Sequence, residues 1–123
     1  MTNRIIVGVD GSATSVVALR WAAYEARRRN SDLLALSCYS VPVYGSPEGA
    51  VYPTSDDIDV FKESAAAIVV QAMETVAEID PKIVVEGMSA MSPATIAIAD
   101  AARPGDEIVV GATGHSGVLD GLL

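Results

Sequence analysis

Two short stretches carry the residues best suited to chemistry, and they lie at opposite ends of the chain. Near the start, Asp10-Gly11-Ser12 sets a carboxylate, a glycine and a hydroxyl in a row. Near the end, Gly111-Ala112-Thr113-Gly114-His115 sets two glycines three apart, followed by the chain's single histidine. Glycines at the end of a strand let backbone N–H groups approach an anion with no side chain in the way. A helix N-terminus placed next adds its dipole. On turn chemistry alone, a tight turn accounts for the same residues. Asp10 can accept hydrogen bonds from a ligand's hydroxyl or amine donors, cap a helix, or serve as general base or metal ligand.

Enzyme signatures are missing around these residues. No Gly-Lys-Ser/Thr follows the glycines, so they do not form a Walker-type phosphate loop, and there is no Gly-x-Ser-x-Gly elbow. A metal cluster or a histidine-driven triad would need partners that the sequence does not place near His115. His115 therefore reads as a loop residue at a site mouth. The single cysteine, Cys38, lies inside an expected strand and reads as a small buried hydrophobe.

These groups must be positioned by a domain of 123 residues, half of them hydrophobic, with a mean hydropathy of +0.36. That is one domain with enough apolar material for a core. No apolar run approaches the ~20 residues of a bilayer span, and no signal-peptide pattern opens the chain. A cytoplasmic protein is expected. The formal net charge of −8, with Lys62 and Lys82 the only lysines, argues against a nucleic-acid partner, which needs a basic surface. The basic cluster Arg27-Arg28-Arg29 reads as a solvated helix end that complements the helix dipole.

Apolar patterning supplies the elements. Ile5-Ile6-Val7-Gly8-Val9 is a buried strand, and a helix follows from about Ala13 to Asn30. On that helix Leu19, Ala22, Ala23 and Ala26 make one face, with Val16 at its edge. Val17, Trp21 and Tyr24 make a second stripe, which suits either a neighbouring helix or a partner surface. The second strand is expected over Asp32–Val41. The Gly- and Pro-containing segment from Tyr44 to Ser55 is expected to be a loop without helix or strand. The second helix is expected from Asp56 to Ile79, with Ala65, Ile68, Val69, Ala72, Met73 and Val76 in helical period. Ile83 to Gly87 follows as the third strand. Ser92 then caps a third helix with Pro93 at its first position, and Ile108-Val109-Val110 is the fourth strand. Strict alternation of strand and helix gives a parallel sheet with right-handed crossovers.

Val-Asp-Gly-Ser after the first strand, together with Gly111 and Gly114 after the fourth, resembles the universal stress protein family. Its signature is Gly-x2-Gly-x9-Gly-(Ser/Thr). The resemblance covers the chain from the first strand to the start of the glycine loop. It implies a Rossmann-like α/β fold of the adenine nucleotide alpha hydrolase-like type, with strand order 3-2-1-4 and helices on both faces. It implies an adenine-nucleotide site, with ATP as ligand and Mg2+ or Mn2+ bridging the phosphates. Val9, Asp10, Gly11, Val41, Pro42, Gly87, Gly111, Ala112, Gly114 and His115 are the positions it assigns to that site. Asp10 and Val41 lie at the nucleoside, Gly111 and Gly114 at the ribose and phosphates. A homodimer or higher oligomer is implied as partner.

The signature's third glycine and its hydroxyl have no counterpart before Leu123, so a single domain that is C-terminally incomplete is expected, its fifth strand and last helix absent. Apolar side chains of the first and fourth strands on one face would then lie bare. Two outcomes are expected: either this sequence is part of a longer chain, or copies associate through strand four with Val118, Leu119, Leu122 and Leu123. The function expected is a nucleotide-binding stress module. A non-nucleotide interaction protein and a slow ATP hydrolase are the competing readings.

Overall fold

The computed structural model describes residues 3–41 and 43–111. The sequence-based assignments to Pro42, Ala112, Gly114, His115, Val118, Leu119, Leu122 and Leu123 fall outside them. Along the chain lie β1 (Arg4–Gly8), α1 (Ala13–Arg29), β2 (Asp32–Cys38), β3 (Tyr44–Ser46), β4 (Gly49–Val51), α2 (Ser55–Ile79), β5 (Val85–Ala90), α3 (Ala94–Ala101) and β6 (Glu107–Val109). The four long-range strands form one parallel sheet in the order β5-β2-β1-β6. That is the 3-2-1-4 order expected, counting only the sheet's own strands. No helix among the described residues is long and apolar enough to cross a membrane.

Strand periodicity divides the core in two. In β1 and β2 the odd positions Ile5, Val7, Leu33 and Ala35 pack with Val9 under α1 and α2. The even positions Ile6, Leu34 and Leu36 pack under Ala97 and Ile98 of α3. Side chains alternate across a strand, so a central strand covered on both sides must be apolar throughout. Helix α1 buries Leu19, Ala22, Ala23 and Ala26 as expected, and also Ser15 and Ala18. Its alanines let it lie close on the sheet. Helix α2 buries Ala65, Val69, Ala72 and Val76.

The helix ends follow their local chemistry. Thr54 caps α2 through a capping box with Asp57, whose carboxylate accepts from the Thr54 N–H at 2.9 Å. Asn30 ends α1 in the left-handed conformation, with φ 56°. The arginines after Arg27 are engaged in ion pairs. Arg28 and Arg29 pair with Glu25, and Arg29 reaches Glu107 at 2.5 Å, tying the end of α1 to the start of β6. Hydrogen bonds from Arg28 and Arg29 hold the Glu25 carboxyl down at about 2.

Four expectations need correction. The segment after β2 is not structureless: β3 and β4 pair antiparallel, Tyr44 with Val51 and Ser46 with Gly49, around a Pro47-Glu48 turn. Turn residues that break a long element suit a short hairpin. The third sheet strand starts at Val85 because the Ile83 N–H turns back to the Asp80 carbonyl at 3.2 Å. It continues to Ala90 because β2 offers partners through Cys38. Strand β2 itself ends at Cys38. Helix α3 is capped at Pro93 without a side-chain bond, since the Ser92 hydroxyl sits near the Pro93 carbonyl, at 3.4 Å, instead of a helix N–H.

The expected bare face is confined to the sheet edge. Ile6 of β1 is fully buried, whereas Ile108 of β6 is 40% exposed. At the opposite end of that edge, Arg4 Nε donates to Asp106 at 3.0 Å, and the guanidinium also donates to the Ala101 carbonyl. Burial raises the Asp106 pKa, but hydrogen bonds from the Arg103 N–H and from Arg4 outweigh it and hold the carboxyl below its ordinary value. A depressed folded pKa contributes stability above the unfolded value, and this is lost as pH falls through the folded one. Urea unfolding should therefore show Asp106→Asn less stable by about 1–2 kcal/mol at neutral pH. The gap should close as pH is taken below the ordinary carboxylate range. A gap that is constant with pH would exclude this carboxylate as its source.

Candidate functional site

The cavity of interest opens at the carboxyl ends of β1 and β6, where the strand order reverses direction. Ligands of open α/β sheets bind at such a point. It arises from one absence. Along β1 the even positions face α3, and the third of them, Gly8, has no side chain. Ile6 fills its place in the core; Gly8 leaves a void, its nearest neighbour on that side being Val110 Cγ1, at 3.8 Å from where a Cβ would stand. The resulting cavity measures about 110 Å³, room for several waters or one flat ring. Its walls are Leu36 and Cys38 of β2, Ala94 and Ile98 of α3, and Val110. Its rim is Val9, Asp10, Thr14, Ser15 and Gly111.

The rim is built by the turn into α1. Gly11 takes φ +83°, which favours glycine. The Ser12 side chain caps the helix, accepting from the Ser15 N–H at 3.2 Å. The Asp10 carboxylate accepts from the Ser12 N–H at 2.8 Å, so it shapes the turn, while the cap is Ser12. Buried Ser15 donates its hydroxyl to the Ser12 carbonyl at 3.0 Å and accepts from the Asp10 N–H at 3.3 Å. This fixes Asp10 at the cavity edge by bonds within five residues of chain.

Gly111 meets this turn from the other side. A Cβ on it would lie 3.1 Å from both the carbonyl carbon and oxygen of Thr14, and 3.3 Å from the Ser15 nitrogen. A side chain here would crowd backbone, which yields less readily than a side-chain end, so glycine suits the chain leaving β6 at this close approach. Asp10 and Gly111, a hundred residues apart in sequence, thus border one cavity, as the strand order predicted.

The other expected site residues divide. Val9 borders the cavity. Gly11 shapes its rim without lining it, and Val41, partly buried after β2, is not among the lining residues. Gly87 lies on the opposite face. It pairs with Ala35, an odd position, and a Cβ there would stand 2.3 Å from Val69 Cγ1 and 2.8 Å from Met73 Sδ of α2. It is a packing glycine under a helix. Cys38 is half-buried, packs against the core under α3 and also borders the cavity, and burial pushes its thiol pKa up, which keeps it a neutral thiol. Gly8, Leu36, Ala94 and Ile98 were not singled out from the sequence. Alternation along β1 was the available signal for Gly8, since glycine falls on an otherwise filled face.

The fold has known counterparts. The chain is similar to a protein of the universal stress protein family from Burkholderia pseudomallei, at 22% identity, over 98% of this chain and 87% of that one, with a TM-score of 0.76. It is also similar to a universal stress protein family protein from Arabidopsis thaliana solved with AMP bound, at 19% identity, over 97% and 82% of the two chains, TM-score 0.61. A universal stress protein from Archaeoglobus fulgidus in complex with dAMP matches at 17% identity, over 89% and 98%, TM-score 0.56. At these identities the likeness is one of fold. The model of the universal stress protein family matches residues 1–123. With the parallel β5-β2-β1-β6 sheet and this match over its whole length, the chain belongs to the universal stress protein family.

Proposed function

We propose that this chain binds an adenine nucleotide in the cavity beside Gly8, and acts as a nucleotide-responsive stress module whose conformation and self-association depend on that ligand. The observation that carries the reading is the pairing of an apolar, ring-sized void with a polar rim at the strand carboxyl ends. The apolar walls suit a flat base, and Asp10 suits a ribose hydroxyl as donor to its carboxylate. Gly111, partly buried on the cavity rim and without a side chain, leaves its backbone open to a phosphate. The AMP and dAMP in the Arabidopsis and Archaeoglobus structures support the same ligand class.

ATP is the ligand the family resemblance implies, with Mg2+ or Mn2+ on its phosphates. Among the described residues no three His, Cys, Asp or Glu side chains gather to hold a metal. Among the described residues, none that lines the cavity is lysine or arginine. Affinity then rests on the nucleoside half, and AMP and ATP should bind within about tenfold of each other, a difference of about 1.4 kcal/mol. No residue is assigned a catalytic role.

Calorimetry with AMP and ATP, with and without Mg2+, tests this. Asp10→Asn keeps an acceptor for the Ser12 N–H but loses the charge. Asp10→Ala loses both. A hydrogen bond to a charged group contributes about 1.5–3 kcal/mol. Both variants should bind roughly 10–100-fold more weakly, with only Asp10→Ala also losing thermal stability. Unchanged affinity in both, or no binding of either nucleotide by the unaltered chain, would refute the proposal.

A further inference from the structure

The stripe Val17, Trp21 and Tyr24 of α1 is not covered by a neighbouring helix. These residues are 67%, 49% and 48% exposed. Arg20 lies three residues from Val17 and four from Tyr24, and Arg27 three from Tyr24, so both border the stripe. Arg27 stands over the Tyr24 ring, 5.2 Å from its centre, which holds the cation on the stripe. The result is an apolar, aromatic, basic surface on a protein whose net charge is −8.

The same layer carries a surface of the opposite sign. At the start of α2, Asp56, Asp59, Val60 and Glu63 fall on one face by helical spacing. All four are exposed, Val60 to 64%. Both α1 and α2 cover the same face of the sheet. Their outward sides therefore point the same way, one basic and aromatic, one acidic and aliphatic.

We propose that a second copy of this chain docks on the helix layer, the α1 stripe of one copy meeting the α2 N-terminal face of the other. Complementary charge is what selects the occupant. A chain of this net charge repels its copies at long range, and the segregation of Arg20 and Arg27 from Asp56, Asp59 and Glu63 gives them an attractive approach. Trp21 and Tyr24 supply the desolvated anchor that such contacts require. This surface is separate from the cavity and from the β6 edge.

Trp21 is the only tryptophan, so its emission reports the contact directly. In light scattering the mass should rise with concentration, and Trp21 emission should shift to the blue and resist iodide quenching in step. Raising the salt from about 0.05 M to 0.5 M should reverse both, since exposed charges are screened. Tyr24→Asp and Arg27→Glu should each weaken association at least about tenfold with unchanged circular dichroism. Asp59→Lys alone should weaken it too, and combining it with Arg27→Glu should restore it. A monomeric mass at every concentration would overturn the proposal. So would association that leaves Trp21 emission unmoved, or a charge-reversed pair that stays as weak as its single variants.

Discussion

Gly8→Val is expected to abolish nucleotide binding while leaving the fold at least as stable. The two effects separate because Gly8 sits in a strand with space beside it. A Cβ there makes only an ordinary contact, 3.8 Å from Val110 Cγ1. Its backbone φ lies outside the left-handed region, so a side chain brings no strain. Glycine within a strand costs about 0.5–1 kcal/mol relative to alanine, through lost chain entropy. Valine removes that cost and adds a β-branched side chain suited to a pleated surface. Its methyl groups occupy the space between Leu36, Ile98 and Val110 that a base would need. One misplaced methylene in a tight pocket changes binding by about 10–200-fold, and valine places two methyls beyond the Cβ. Gly8→Ala should give a smaller loss. Calorimetry with AMP, alongside urea unfolding, checks both halves. If Gly8→Val binds AMP as the unaltered chain does, the cavity is not where the base goes, whatever Asp10 does.

The second large effect is expected at Gly87, and on stability alone. A Cβ at Gly87 would overlap Val69 Cγ1 at 2.3 Å and crowd Met73 Sδ at 2.8 Å. Methionine is flexible and can move aside. Val69 is buried, 8% exposed, and β-branched, with one preferred rotamer in a helix. Helix α2 must therefore shift outward or β5 must tilt. Overpacking of this kind costs about 1–3 kcal/mol, and Gly87→Val should cost more than Gly87→Ala. Urea unfolding should show a lower midpoint with an unchanged slope. AMP affinity of folded Gly87→Ala should match the unaltered chain, because the site opens on the other side of the sheet. Reduced affinity with full stability would return Gly87 to the ligand site, where the family resemblance puts it.

Much of the architecture was legible in the residues. Ile5-Ile6-Val7 and Leu33-Leu34-Ala35-Leu36 are apolar at both parities, which only a strand covered on two faces requires. Thr54 and the acids after it mark the start of α2, and Asn30 marks the end of α1. Strand–helix alternation pointed to a parallel sheet, and the family resemblance implied the strand order that brings Asp10 and Gly111 together. The elements follow from local patterning and their parallel pairing from chain connectivity, which a sequence displays; the strand order came from the resemblance.

What the sequence left undecided depended on contacts across the chain. The start of β5 moved to Val85 because the turn from Asp80 consumes Ile83, and its end moved to Ala90 because β2 runs on to Cys38. Alternation marks the face on which Gly8 falls and a glycine motif marks Gly111, but nothing local says what stands opposite Gly8, Gly87 or Gly111. Gly8 leaves a cavity under α3, Gly87 admits Val69 of α2, and Gly111 lets the chain pass the first turn of α1. A glycine's role is set by what stands opposite its missing side chain. For these three that is decided by strand register and by which helix covers which face, so only the folded sheet could assign them.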